Sequence, residues 1–229
     1  MAILATPRPR QKQDACRVPP RARAFRRRLL AWYARHARQL PWRGVGDPYA
    51  VLVSEMMLQQ TQVRRVVEFF PPFLARYPTL EDLAAAPADA VREAWDGLGY
   101  YARARNLHAA AREVVATHGG VLPERPEDLR RLPGIGRYTA GAVASIAFGA
   151  DVPAVDTNAA RVLRRALGMR RGRPARLWRV AEAMVPRGRA ADWNQALMDL
   201  GATVCTARAP RCATCPVRTS CATGVRRAR

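Results

Sequence analysis

The chain is nearly devoid of lysine: Lys12 is the only one, although lysine and arginine together number 39. The sequence after Lys12 therefore offers no lysine amine for a reaction that passes through a Schiff base. Acidic residues are also few, 18 in 229 residues, which leaves a net charge of +21. Such an excess of positive charge indicates a polyanionic partner, most simply DNA or RNA.

Long apolar runs are missing as well. No uncharged apolar window reaches the roughly 18 residues of a membrane-spanning helix, so we expect no membrane segment. Residues 1–23 carry charges and prolines but no apolar stretch followed by a cleavage site, and this composition predicts a disordered basic tail. A cytoplasmic location with access to the chromosome is the resulting expectation.

Segments with the two-residue period of a strand are also absent beyond a few residues, so the sequence predicts an all-α fold. Helical spacing of apolar residues predicts helices over residues 24–38, 49–62 and 63–77. We expect the pair Pro71 and Pro72 to kink or split the third of these helices.

A glycine-rich turn, Leu132-Pro133-Gly134-Ile135-Gly136, separates two predicted helical segments, 126–131 and 137–147. The second segment would begin with backbone N–H groups that point outward, which is a favourable site for an anion. In so basic a chain this hairpin is typical of a clamp for a nucleic-acid phosphate. An ordinary helix–helix turn has the same local pattern.

Four cysteines near the end of the chain follow the spacing C-x6-C-x2-C-x5-C: Cys205, Cys212, Cys215 and Cys221. Disulfides are disfavoured because nothing marks the chain as secreted. Four thiolates suit a tetrahedral zinc ion or an iron–sulfur cluster, and the spacing does not separate the two. Arg208 and Arg211 place positive charge beside this segment, as expected for a loop that lies on a phosphate backbone. Cys16, in the tail, is interpreted as a free thiol.

Two carboxylates are candidates for chemistry. Glu55 lies in an apolar helical segment, where desolvation would raise its pKa and keep it protonated, although a solvated surface position is the alternative. Asp156 precedes a predicted helix that begins near residue 159, so it is a candidate N-cap as well as a candidate catalytic group.

Taken together, these motifs give the chain a clear resemblance over about residues 25–221. It resembles the helix-hairpin-helix DNA glycosylases of base excision repair, and within them the MutY-type adenine glycosylases. The matching segments are residues 40–43 (LPWR), 54–63 (SEMMLQQTQV), 97–106 (GLGYYARARN), 132–136 (LPGIG), 155–156 (VD) and 194–201 (NQALMDLG), together with the cysteine spacing.

The resemblance implies two helical lobes with a DNA-binding cleft between them. Residues 47–148 would form a six-helix barrel with the helix-hairpin-helix at 126–147, and residues 24–46 and 149–229 would form a second lobe. The four cysteines would hold a [4Fe–4S] cluster in that second lobe. The implied partner is double-stranded DNA with a mispair or lesion, and we expect a monomer.

The resemblance also implies catalytic roles. Glu55 would protonate the purine, while Asp156, assisted by Asn158, would stabilise the oxocarbenium-like sugar and position the nucleophile. Tyr138 stands where relatives with lyase activity carry a lysine, so we predict a monofunctional glycosylase. Thr157 departs from the Asp-Gly-Asn pattern of adenine glycosylases and puts the backbone geometry beside Asp156 in question.

Further residues take binding roles by the same resemblance. Gln60 and Tyr100 would intercalate where the flipped base leaves the duplex. The amides of Gly134 and Gly136 and the helix start at Arg137 would bind a phosphate. The predicted base pocket consists of Trp42, Arg43, Leu58, Val63 and Gln195.

The predicted substrate is adenine opposite guanine or 8-oxoguanine. Adenine glycosylases usually carry a further C-terminal domain that reads the oxidised base, and we expect this chain, which ends at Arg229, to lack it. Thymine-mismatch glycosylases stop at a similar point, so excision of thymine or uracil opposite guanine is the alternative. A DNA-binding protein without catalysis is a second alternative, disfavoured by the joint presence of Glu55, Tyr138 and Asp156.

Overall fold

The computed structural model describes residues 21–169 and 174–226, and within them it contains helices and no strands, which confirms the all-α prediction. The helices are α1 Arg21–His36, α2 Pro48–Leu58, α3 Val63–Arg76, α4 Leu80–Ala85, α5 Ala88–Ala94, α6 Ala102–His118, α7 Pro126–Leu129, α8 Arg137–Phe148, α9 Thr157–Leu167, α10 Pro174–Met184, α11 Ala190–Thr203 and α12 Ala222–Arg226, with a 3-10 turn at Arg218–Ser220. None of these helices has the length and hydropathy of a membrane-spanning segment.

Two hydrophobic cores organise the helices. One is built from residues between Trp42 and Ala144, and the other joins residues of α1 to residues between Ala159 and Val217. The chain thus leaves the second core after α1 and returns to it at α9. The lobe boundaries proposed from the sequence stay a prediction, except that the tail was drawn too long, because residues 21–23 belong to α1. Residues 1–20 of that tail lie outside the described residues.

Helix α2 lies at the centre of the first core. Every residue from Tyr49 to Met57 is buried, so this helix is enclosed on all sides rather than on one face. Asp47 caps it by accepting hydrogen bonds from the N–H groups of Tyr49 and Ala50 at 3.0 and 3.1 Å, and Pro48 follows as the first helical residue. A carboxylic acid carried on this helix, such as Glu55, must therefore be buried.

The structure departs from the sequence-based expectations at α2 and α3. Helix α2 ends at Leu58 and not at residue 62, because the chain turns into a left-handed conformation at Gln60. Helix α3 continues through Pro71 and Pro72, so these prolines do not split it. Both prolines and the residues one turn earlier are exposed, so water can solvate the carbonyls that lose their partners, while the opposite face of the helix packs into the core.

Candidate functional site

A cleft of about 840 Å³ is lined by residues of both cores. It brings together ten residues that the sequence predicted for one site: Trp42, Arg43, Glu55, Leu58, Gln60, Val63, Tyr138, Asp156, Asn158 and Gln195. The other predicted binding residues lie outside its lining: Tyr100, Gly134, Gly136, Arg137, Arg208 and Arg211. The juxtaposition is tertiary, since these ten residues come from widely separated segments of the chain.

Glu55 is 5% exposed and its Oε2 atom has no hydrogen-bond partner in the structure. Burial raises the pKa of Glu55 to about 7, and the nearby Asp156 carboxylate adds to the rise, whereas Tyr138 and Arg43 oppose it. At neutral pH a large fraction of Glu55 therefore carries its proton. An acid that faces a cleft in this state can donate that proton to a ligand.

Tyr138, in the first turn of α8, lines the cleft beside Glu55. Burial raises the pKa of its hydroxyl well above the ordinary value, and the Glu55 and Asp156 carboxylates raise it further. The hydroxyl lies 3.9 Å from the Met198 sulfur, a weak acceptor. The phenol is thus held neutral, as a hydrogen-bonding group and not as a nucleophile.

Asp156 is the N-cap of α9, as the sequence predicted, although the helix begins earlier, at Thr157. Its Oδ1 accepts a hydrogen bond from the Ala159 N–H at 2.6 Å, and its Oδ2 accepts one from the Asn158 amide at 2.8 Å. The cap therefore forms with threonine at position 157. Asn158 is held in turn by Arg161, whose guanidinium donates to the Asn158 Oδ1 at 2.7 Å.

Arg161 connects this site to the cysteine-bearing segment. Besides Asn158, it donates to the carbonyl of Gly201 at 2.8 Å and to the carbonyl of Cys205 at 2.8 Å. Gly201 is required because a Cβ there would lie 2.6 Å from the Asn158 Cβ. Through Asn158 and Arg161, the orientation of Asp156 thus depends on contacts with Gly201 in α11 and with Cys205.

Arg43 is fixed by a carboxylate that the sequence argument did not single out. Asp199 is fully buried and accepts two hydrogen bonds from the Arg43 guanidinium, at 2.7 and 2.8 Å, and one from the Arg38 Nε at 2.7 Å. Burial opposes the ionisation of Asp199, but the hydrogen bonds and charges of the two arginines outweigh it and lower its pKa. The guanidinium at the cleft wall is consequently held in one orientation.

The buried side chain of Asn194 holds the loop that precedes Asp156. The side chain is fully buried, donates to the Ser145 hydroxyl at 2.9 Å and to the Val152 carbonyl at 3.0 Å, and accepts from the Ala154 N–H at 3.0 Å. The Ala154 N–H is buried and has no other partner than this amide oxygen in the structure. Sequence reasoning placed Asn194 in a matching segment but gave it no role, and a polar residue within an apolar helix was the available signal.

The hairpin depends on a glycine at position 134 and leaves backbone amides free at the start of α8. Gly134 has φ of +73°, and a Cβ there would lie 2.5 Å from the Asn106 Cβ, so glycine is needed for both reasons. The first backbone hydrogen bond of α8 joins the Ala140 N–H to the Gly136 carbonyl, which leaves the preceding amides pointing outward. The Arg137 side chain pairs with Glu182 at 2.7 Å and stacks on Trp178, 4.1 Å from its ring centre.

The four predicted cysteine ligands line one small cavity. Burial, together with the other three thiols, raises the pKa of Cys215 to about 11, and the effect of these thiols indicates that the four sulfurs are neighbours. In the described part of the chain no group of three or more His, Cys, Asp or Glu side chains is arranged to hold a metal ion. Arg165 donates to the Cys205 sulfur at 3.4 Å. Arg208 and Arg211 are exposed in the same segment, and a contact with a nucleic-acid phosphate backbone would require this exposure.

The all-helical fold, the hairpin and the cleft with its buried acid define a class of DNA repair protein. Residues 53–185 match the family described as "HhH-GPD superfamily base excision DNA repair protein", and the chain belongs to this superfamily.

Relatives within the family are named "Adenine DNA glycosylase". The Homo sapiens protein is 48% identical over 212 residues, which are 86% of this chain and 39% of that protein. The Mycobacterium tuberculosis protein is 47% identical over 195 residues, covering 82% of this chain and 64% of that protein. The chain thus spans about two fifths of the human relative and just under two thirds of the bacterial one.

Solved structures share the whole fold. A structure titled as a thermostable thymine-DNA glycosylase has a TM-score of 0.85 and 31% identity, covering 90% of this chain and 97% of that chain. The structure of a trapped endonuclease III–DNA covalent intermediate has a TM-score of 0.78 and 25% identity, and the match covers 90% of this chain and 97% of that chain.

Proposed function

We propose that this protein is a DNA N-glycosylase that removes a mispaired adenine from duplex DNA. The observation that carries the proposal is the buried acid: Glu55 faces the cleft with a pKa of about 7 and an oxygen that has no protein partner. The names of the relatives support adenine as the base, since they are called adenine DNA glycosylases at 36 to 48% identity.

In this mechanism Glu55 protonates the flipped adenine and converts it into a better leaving group. Charge that develops on the sugar faces the Asp156 carboxylate, which is held in place by the Ala159 N–H and the Asn158 amide. Water then attacks the sugar and leaves an abasic site. Tyr138 contributes a neutral hydroxyl beside Glu55, and Arg43 contributes a fixed donor at the wall of the base pocket.

We propose that the enzyme has no lyase activity. Schiff-base formation needs an amine next to the sugar, and the described residues contain no lysine. Tyr138 occupies the position in the hairpin helix where an amine would be needed.

Duplex DNA would lie across the cleft. The amides of the hairpin would hold a phosphate, Gln60 and Tyr100 would enter the duplex, and the exposed arginines beside the cysteines would contact the backbone. The net charge of +21 supports strong and salt-sensitive binding.

The four cysteines would hold a [4Fe–4S] cluster. A set of four neighbouring thiols around one cavity fits such a cluster, and the N–H groups of Arg165 and Gly224 directed at the Cys205 and Cys221 sulfurs fit it as well. The bound cluster would cross-link the segment from Cys205 to Cys221. Base excision by an acid and a carboxylate transfers no electrons, so we propose a structural role.

Excision of thymine or uracil opposite guanine is the second candidate. It is supported by the thymine-DNA glycosylase structure, which matches nearly its full length at 31% identity.

The test is an excision panel with duplexes that carry A·8-oxoG, A·G, T·G or U·G pairs, followed by alkali to cleave abasic sites. We expect alkali-dependent cleavage at adenine. Cleavage only at T·G or U·G would establish the second candidate, and cleavage without alkali would contradict the absence of lyase activity. If none of the duplexes acquires an abasic site, the chain is a binding protein.

A further inference from the structure

Two loops have a strained backbone, and one of them carries Gln60, which lines the cleft. Gln60 has φ of +56° and Tyr100 has φ of +50°, and they are the two non-glycine residues with positive φ in the described ranges. A left-handed conformation is unfavourable for residues with a side chain and persists only when the surroundings enforce it. Both side chains are exposed, and Tyr100 is 61% exposed. Something in the structure must therefore hold the two backbones.

Arg103 makes contacts to both loops. Its Nη1 donates to the carbonyls of Met56 at 3.2 Å, Met57 at 2.6 Å and Gln59, which form the end of α2 and the residue before Gln60. Its Nη2 donates to the carbonyls of Leu98 at 3.1 Å and Gly99 at 2.9 Å, and its Nε lies 3.4 Å from the carbonyl of Tyr100. One guanidinium thus joins the two strained loops.

The environment of Arg103 is unusual for a cation. It is 6% exposed and has no carboxylate within ion-pair distance in the described residues. Its charge is instead balanced by carbonyl dipoles, including those at the C-terminal end of α2, where a cation is favourable. It also stacks against Tyr100, with its Cζ atom 5.5 Å from the ring centre. A lysine has three donors on one atom and cannot reproduce a fork that spans both loops.

We propose that Arg103 is a positioning residue that locks the loops of Gln60 and Tyr100 into one rigid pair, so that both side chains enter the duplex together when the target base leaves it. This inference rests on the proposed glycosylase function. Because the two loops are joined through a single side chain, the cost of ordering them is met during folding and not during DNA binding.

The test compares Arg103→Lys and Arg103→Ala with Arg105→Ala. Arg105 is exposed on the same helix, so its variant controls for the loss of one positive charge. Single-turnover excision is measured on adenine in a paired duplex and on adenine in a single-stranded oligonucleotide, which has no pairing partner and no opposite strand to be held apart. Fluorescence of 2-aminopurine at the target position reports base flipping.

For Arg103→Lys we expect about a tenfold slower excision and reduced 2-aminopurine fluorescence on the paired duplex. Excision from the single strand should stay within about twofold of the unmodified protein, because only the paired base has to be displaced from a duplex. Arg105→Ala should match the unmodified protein in excision. In a Gln60→Ala, Tyr100→Ala background, Arg103→Lys should cause little further loss. The lysine variant decides the question if the alanine variant does not fold.

Equal losses on the paired and single-stranded substrates would overturn the proposal, because they would mean that Arg103 acts on Glu55 or on folding. Normal excision and flipping by Arg103→Lys would overturn it as well. Failure of the unmodified protein to excise any base would instead refute the proposed function on which this inference rests.

Discussion

Replacing Glu55 by glutamine should greatly slow excision while making the protein more stable at alkaline pH. The glutamine has the same size but carries no acidic proton. A positioned general acid contributes roughly 10²- to 10⁴-fold to a rate, so single-turnover excision should fall by about that factor. Binding to duplex DNA should persist, since the substitution leaves the cationic surface unchanged.

The stability change follows from the shift in pKa. Burial raises the pKa of Glu55 from 4.5 to about 7, so the folded state binds the proton more tightly than the unfolded state. The free energy of unfolding should therefore fall as pH rises from about 4.5 to 7 and then level off. A shift of this size corresponds to about 3 kcal/mol. Glutamine never ionises, so its contribution does not change with pH. The free energy of unfolding of Glu55→Gln should therefore exceed that of the unmodified protein by up to about 3 kcal/mol at pH 8, and by little near pH 5.

Urea unfolding at pH 5 and pH 8 measures this difference. Glu124→Gln is the matched control, because Glu124 is exposed and forms no ion pair in the described residues. The rate of excision by the unmodified protein should also decline as pH rises through about 7, since the protonated acid is required. A Glu55→Gln variant that excises normally, or one that is less stable than the unmodified protein at pH 8, would refute this reasoning.

Three further substitutions test the support of the site. Asn194→Leu should lower the free energy of unfolding by about 3 kcal/mol, because it leaves buried partners unpaired. Asp199→Asn should cost about 3 kcal/mol, since it leaves two arginines facing a neutral group; the same change at Asp192, an exposed ion-pair partner on the same helix, should cost less than about 1 kcal/mol. Cys215→Ser should reduce bound iron and visible absorbance in anaerobically prepared protein, while Cys16→Ser should retain both.

Each of these predictions would be contradicted by a specific result. Unchanged unfolding of Asn194→Leu would mean that the loop before Asp156 is held by other contacts. Equal costs at Asp199 and Asp192 would mean that burial adds nothing to the ion pairs. A colourless unmodified protein that contains zinc would contradict the iron–sulfur proposal.

The sequence predicted the character of most elements because local patterns determine them. The aspartate and glycine signals placed the cap of α9 and the turn at Gly134 correctly, since each depends on a few adjacent residues. The sequence did not predict where α2 ends, because the carbonyls at its end accept hydrogen bonds from Arg103, which lies far along the chain. A kink or split was expected at Pro71 and Pro72, and the split did not occur because the buried face of α3 outweighs the lost hydrogen bonds.

By itself, the sequence determined the helical class, the basic charge, the four cysteines and the identity of the two carboxylates. Only the tertiary structure decided that Glu55 is buried with a partnerless oxygen beside Tyr138, because burial depends on what packs around α2. It also decided that Asp199 orients Arg43, a contact between residues 156 positions apart. Such contacts have no local signature, since they form only when both cores are assembled.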